Sequence, residues 1–211
     1  MYKDNPQTVY RIELKKKILR TSLREFLDKG VKAVKMDNIA NMLGISKRTL
    51  YEIYSNKEEL LLECVRMHEE EHTLHMASYG ADANHSVIDI LIEFYKLQID
   101  NLSGVSPCFF VELHKYKHVM DYLEDMHAKR ERSTAEFFAR GVKEGYFRSD
   151  VDFPIVTMIG GEFMEIVMRN EMYKIYDLKR ILHNFIFVFI RGLCTAEGIK
   201  KLDEFFNMGE P

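Results

Sequence analysis

Helical periodicity runs through almost the whole chain, and few residues are present that could interrupt it. Only four prolines occur, Pro6, Pro107, Pro154 and Pro211. Proline removes a backbone donor and clashes with the preceding turn, so its scarcity leaves room for long helices. Ile12, Leu19, Leu23 and Phe26 share one face of an amphipathic helix over residues 8–29. Lys15, Lys16, Lys17, Arg20 and Arg24 take much of the rest, and Gly30 is its stop. Met36, Ile39, Ala40 and Leu43 make a shorter stripe that ends at Gly44, and Ser46 caps a third helix through Tyr54. Asn56 caps a fourth, to about Tyr79, with Glu59 placed as in a capping box. Residues 79–85 read as a loop. Further helices are predicted over 86–103, 108–117 and 119–144, then from Val151-Asp152-Phe153-Pro154 to Met172, and from Asp177 to Thr195. Ser106-Pro107 marks one start and Gly145 one stop. No hairpin dipeptide lies between alternating runs, and no internal repeat is present. The fold class is all-α.

Composition narrows the functional classes. The chain of 211 residues is 46% hydrophobic and 30% charged, enough apolar mass for a core with a soluble surface. The most apolar run, Phe185 to Ile190, stops at Arg191, which argues against a membrane span. Met1-Tyr2-Lys3-Asp4 lacks an apolar signal core. Cys64, Cys108 and Cys194 fit neither a disulfide framework nor a zinc finger. A cytoplasmic location without membrane contact is expected. The net charge of −3 hides a split, because residues 1–57 hold 13 Lys and Arg against 6 Asp and Glu, while the remainder carries −10. A basic module of +7 suits a polyanion, and nucleic acid is the obvious one. Uneven charge on helical surfaces is the plainer alternative.

Two short helices joined by Leu43-Gly44-Ile45-Ser46 form a helix-turn-helix pattern. Gly44 suits a left-handed turn, and Ala40 is small where a second helix crosses. The order of motifs is more specific. It runs from a basic first helix through Met36-Asp37-Asn38-Ile39-Ala40 to Gly44-Ile45-Ser46-Lys47-Arg48-Thr49-Leu50-Tyr51-Glu52-Ile53-Tyr54, then Asn56-Lys57-Glu58-Glu59-Leu60-Leu61. This closely resembles the DNA-binding domain of the TetR/AcrR family of bacterial transcriptional regulators. Gly141 to Asp150 and Arg191 to Ile199 are similar to segments around the last helices of many members. The resemblance implies a three-helix DNA-binding domain, residues 1–56, on a helical effector-binding and dimerisation domain, residues 57–211. It implies a regulator, expected to be a ligand-responsive repressor acting on a palindromic double-stranded DNA operator as a homodimer.

Within that frame Lys47, Arg48 and Thr49 lie on the first turn of the recognition helix, the part that reaches base edges. Arg48 can bond bidentately to guanine, and Thr49 and Tyr51 carry hydroxyls for phosphates or a thymine methyl contact. Lys57 opens the fourth helix, where charge and helix dipole could hold a phosphate. Two positions depart from the family pattern. Lys35 stands where a Ser or Thr cap is common, a poor cap and a usable phosphate ligand. Glu52 follows Tyr51 where a His or aromatic is common, and it either pairs with Arg48 four residues back or accepts from cytosine N4. Tyr54 reads as packing.

Other constellations are less specific. His68, His72 and His75 share a helix face, a spacing that can ligate metal and that equally fits a polar stripe beside Glu69, Glu70 and Glu71. His114 and His118 pose the same choice, and no metal or cofactor is expected. Tyr95, Phe109, Phe110, Tyr116, Met120 and Met164 suit a pocket for a small apolar effector between the fourth and seventh helices, and equally an ordinary core. Residues 155–168 and 178–193 are apolar beyond one amphipathic face. Ile159, Gly160, Phe163 and Val167 are expected across a twofold axis from Ile186, Phe189 and Ile190, in a four-helix bundle. No nucleophile elbow, P-loop or dinucleotide fingerprint appears, so an enzyme is not expected. An architectural DNA-binding protein without an effector is the alternative function.

Overall fold

The computed structural model describes residues 6–102 and 104–208. Its eleven α-helices are α1 (Pro6–Lys29), α2 (Met36–Leu43), α3 (Lys47–Ile53), α4 (Lys57–Ala81), α5 (Val87–Asn101), α6 (Pro107–Leu113), α7 (Lys117–Lys143), α8 (Phe153–Gly161), α9 (Phe163–Arg169), α10 (Leu178–Leu193) and α11 (Ala196–Met208). A 3-10 turn spans Met172–Lys174. No strand forms among the described residues; one antiparallel bridge joins Phe147 and Cys194. None of the described helices is long and apolar enough to cross a membrane. The fold is all-α.

Most helix starts obey local capping chemistry. Ser46, Ser86, Ser106, Asp152 and Asp177 each accept a backbone N–H of the turn they precede. The fourth helix starts with a variation: Asn56 Oδ1 accepts from Glu59 N at 2.9 Å, while the Glu59 carboxylate reaches past it to Ser55 N and Oγ.

Three expectations about boundaries are corrected. Helix α4 continues through Gly80 to Ala81, where a loop was expected; Arg140 takes up the Gly80 carbonyl that the helix end leaves open and the His85 carbonyl of the loop beyond. The helix expected from Phe153 to Met172 divides into α8 and α9 at Glu162. Gly160 and Gly161 precede the break, each costing about 1 kcal/mol of helix propensity relative to Ala. The chain also goes on past Thr195 into α11, opened by the Thr195 hydroxyl accepting from Gly198 N.

The helices gather into two compact units. Described residues up to His72, with Gly104–Glu124, form the first; those of Thr73–Ser103 and Asp125–Pro211 form the second. The first unit therefore contains α1, α2 and α3, the beginning of α4, all of α6 and the beginning of α7. Its core joins Ile18, Phe26, Val31, Ile39, Ala40, Leu50, Leu60, Leu61 and Cys64 to Phe109 of α6 and Val119 of α7. Burying this much apolar surface is what stabilises such short helices. Ser106 N donates to Leu27 O at 2.7 Å, seating α6 against the end of α1.

The second unit packs Val87 and Ile88 of α5 against Phe147, Cys194 and Leu202. Phe137, Phe138, Phe147 and Phe153 cluster, with Phe138 and Phe153 stacked at 4.3 Å between centroids. Lys201 of α11 reaches Ser86 Oγ and Asp89 at the start of α5. Helices α9 and α10 meet through Phe163 stacked on Phe185 at 3.6 Å.

Candidate nucleic-acid interface

Helix α2 ends where Gly44 takes φ 66°, ψ 28°, a left-handed conformation that costs a residue with a Cβ more. Gly44 N donates to Asn41 O and Ile45 N to Ala40 O, which satisfies the last carbonyls of α2. Ser46 Oγ then accepts Thr49 N at 3.0 Å and lies 2.8 Å from Thr49 Oγ1. Ile39, Ala40 and Leu50 are fully buried, which locks α2 and α3 together through their inner faces. Loss of the cap in Ser46→Ala should cost about 1 kcal/mol in chemical denaturation, since α3 has seven residues and little other means of starting.

With Leu50 turned inward and Ile53 packed against the core, the other side of α3 faces out. Lys47, Arg48 and Tyr51 are exposed and Thr49 is half-buried. Each of the two cations already has a carboxylate. Lys47 Nζ pairs with Asp37 of α2 across the turn, and Arg48 Nε donates to Glu52 Oε1 at 2.8 Å. The Glu52 hydrogen bond raises the Arg48 guanidinium above its usual value. Of the two expectations for Glu52, the intramolecular pair is the one observed. It uses Nε, and the Arg48 side chain stays 88% exposed. Lys35 is exposed, sits at the N-cap of α2 with extended backbone and makes no side-chain cap. Tyr54 packs in the core, and burial pushes its phenol up to about 12.

Lys57 is placed otherwise than a phosphate ligand requires. Its ammonium turns onto the protein's own backbone, donating to Val31 O at 2.8 Å, Val34 O at 3.0 Å and Lys32 O at 3.4 Å. Sequence periodicity carries no signal for this, because the loop lies more than twenty residues away. The same holds for Glu112, whose Oε2 accepts from Lys32 N at 2.7 Å.

The six residues expected around an effector are divided between the two units. Phe109, Phe110 and Tyr116 belong to the core of the first unit, and Met120 lies in that unit as well. Tyr95 and Met164 lie in the second. There Tyr95 Oη is 2.6 Å from His183 Nδ1, and its ring meets Phe205 and Phe206 edge-on. The void beside Tyr95, lined also by Leu91, Ile186, Phe187 and Phe206, measures about 10 Å³. That is too small for an organic effector, because the aromatic rings fill it. Among the described residues no group of three or more His, Cys, Asp or Glu could hold a metal ion; His75 pairs with Glu93 at 2.7 Å instead.

The residues expected at a twofold contact divide by exposure. Val167 at 1% and Ile186 at 6% pack into their own protomer and cannot face a partner. Ile159 is half-exposed, and Ile155, Met158, Ile166 and Val188 share its exposure. Gly160, Phe163, Phe189 and Ile190 are intermediate, and a Cβ at Gly160 would lie 3.4 Å from Phe189. Helix α8 buries no residue within the protomer.

A buried-seam helix pair with a tight left-handed turn and an outward basic second helix defines a helix-turn-helix DNA-binding protein. Residues 18–64 match the family model described as bacterial regulatory proteins, tetR family. The HTH-type transcriptional repressor KstR2 of Mycobacterium tuberculosis is 24% identical over 158 residues, covering 66% of this chain and 72% of that protein. The structure of that ketosteroid transcriptional regulator superposes with a TM-score of 0.58 at 17% identity, over 86% of this chain and 95% of its own. A transcriptional regulator from Saccharomonospora viridis, solved in complex with choline, superposes with a TM-score of 0.67 at 19% identity, over 87% and 99%. The match to the tetR family of bacterial regulatory proteins thus lies in residues 18–64, the segment that carries the helix-turn-helix.

Proposed function

We propose that the protein is a ligand-responsive repressor, cytoplasmic and without catalytic activity, that binds a palindromic operator as a homodimer. The reading is carried by one observation: Leu50 anchors α3 inward while Lys47, Arg48 and Tyr51 stand exposed beyond the Gly44 turn. In this assignment Arg48 reads a base, Lys47 and Thr49 flank it, and Tyr51 and Lys35 hold phosphates. Reading of DNA falls to residues 1–56. Dimerisation and effector response fall to 57–211, of which residues 57–72 and 104–124 pack in the first unit. The apolar α8 supports the homodimer, and twofold symmetry in turn supports an inverted-repeat operator.

The test is selection of bound fragments from a random DNA pool by the purified protein, followed by Arg48→Ala. The variant should lose about 1–3 kcal/mol on the selected operator and relax preference at one position in each half-site. Uniform loss across sequences would make Arg48 a phosphate ligand and pass base reading to Lys47 or Thr49.

The choline complex of the Saccharomonospora viridis regulator supports effector control. The filled core around Tyr95 favours a second reading, an architectural DNA-binding protein with no effector. A thermal-shift screen with small apolar and quaternary ammonium compounds separates them. A compound that raises the melting temperature and releases DNA supports the first, and no stabilising compound supports the second.

A further inference from the structure

We infer that Lys57 and Glu112 are positioning residues for operator binding, clamping the loop that leads into α2 without either touching DNA. The inference rests on the DNA-binding reading above. The loop from Gly30 to Lys35 joins α1 to α2, so its conformation sets where the helix-turn-helix begins. Val31 and Val34 anchor the loop in the core, but its polar backbone groups have few partners of their own. Gly30 is left-handed at φ 79°, and the Lys35 side chain does not cap α2.

Two side chains from outside the loop supply what it lacks. From α4, the Lys57 ammonium has three hydrogens and three carbonyls in reach, those of Val31, Lys32 and Val34. From α6, Glu112 Oε2 accepts the Lys32 amide, the donor between those carbonyls. Donors and acceptors of the loop are thus matched by opposite charges from two helices, as unpaired backbone groups require. Burial lowers the Lys57 ammonium from its usual value, and the charge of Glu112 opposes that shift.

The approach of α6 is close enough to be exclusive. A Cβ at Gly30 would lie 3.0 Å from Glu112 Oε2 and 3.1 Å from the Cys108 Cβ. Glycine at position 30 therefore serves the turn and the seat of α6 together. A phosphate could reach the Lys57 ammonium only by displacing one of its carbonyls. A clamp and a phosphate ligand differ in a measurable way. Losing a phosphate contact lowers the slope of log affinity against log salt by about one, whereas losing a clamp weakens binding at every salt concentration alike.

The experiment uses the full chain with Lys57→Met, Glu112→Ala and Glu112→Gln, and the fragment selected by the wild type. Affinity is measured over a range of salt, and amide hydrogen exchange is followed without DNA. Lys57→Met and Glu112→Ala should each weaken operator binding about fivefold with the wild-type salt slope. Exchange at the Lys32 amide should quicken about tenfold in Glu112→Ala. Glu112→Gln, whose side-chain carbonyl still accepts, should recover most of both losses. If Glu112→Ala fails to fold, the slope of Lys57→Met still decides. A slope lowered by about one in Lys57→Met would overturn the clamp in favour of a phosphate ligand. Wild-type affinity and exchange in Glu112→Ala would remove Glu112 from it. A wild type that selects no DNA would refute the DNA-binding reading itself, and Lys32 exchange would then report the clamp alone.

Discussion

Gly141→Ala should lower the melting temperature by about 10 °C, a loss of about 3 kcal/mol in the second unit. A Cβ at that position would fall 2.0 Å from Phe147 Cδ2 and 2.4 Å from Cε2. Phe147 has nowhere to go. It is 2% exposed and wedged among Phe137, Phe138 and Phe153. Its backbone is pinned as well, since Phe147 N donates to Gly141 O and Arg148 N to Leu193 O. Gly192→Ala is the matched control. Nothing lies within 4 Å of its Cβ position, so the substitution should be neutral or gain up to about 1 kcal/mol of helix propensity. Circular dichroism melts of the two variants should move apart, and equal melting would refute the packing argument.

A charge on the exposed apolar face of α8 should convert a dimer to a monomer. Ile155, Met158 and Ile159 are each at least half-exposed in the protomer, and Val188 of α10 is 69% exposed. Surface of this kind is what a twofold four-helix contact would cover. Ile159→Asp and Val188→Asp should each fold as protomers, because neither side chain is needed by the protomer's own core. Light scattering should report a wild-type dimer at micromolar concentration and monomers for both variants. Operator affinity should fall by about a hundredfold or more, since two linked half-site contacts become one. A monomeric wild type with full operator affinity would remove the dimer from the proposed function.

What the sequence made legible is what short-range chemistry decides. The turn at Gly44, the Ser46 cap and the Arg48–Glu52 pair all depend on residues within five positions of one another. Their physics is local, and the residue types name it. The helix α11 carried a usable signal too, in Ile199, Leu202 and Phe206 following Thr195, and a stop at Thr195 passes over it. The division at Glu162 is marked in the sequence by Gly160-Gly161, two poor helix formers in a row. Gly160 does approach Phe189, while nothing lies within 4 Å of a Cβ at Gly161.

What stayed hidden depends on partners distant in the chain. Lys57 looks like a free cation until the carbonyls of Val31, Lys32 and Val34 are placed around it. Phe109 and Tyr95 look alike in sequence, and only the tertiary structure assigns one to the core holding Phe26 and the other to His183 and Phe206. Burial separates Val167 from Ile166 in the same way, one turned inward and the other out. Apolar periodicity states that a face is covered; it carries no information about which surface covers it.

The interleaving of the first unit bears on the order in which the protein can be made. Its core takes Phe109 and Val119 from beyond residues 73–103, and Ser106 N closes on Leu27 O only after α5 has been synthesised. A nascent chain that has reached His72 holds α1, α2 and α3 but lacks Phe109 and Val119 of its core. Domains commonly complete from the N-terminus as synthesis proceeds, yet here the first unit waits for about fifty further residues. At a typical elongation rate that is a delay of several seconds, during which apolar surface next to a basic helix stays open to the ribosome and to chaperones. No single cut in the chain would release the first unit whole, so it has to be studied and inherited together with the helices that complete it.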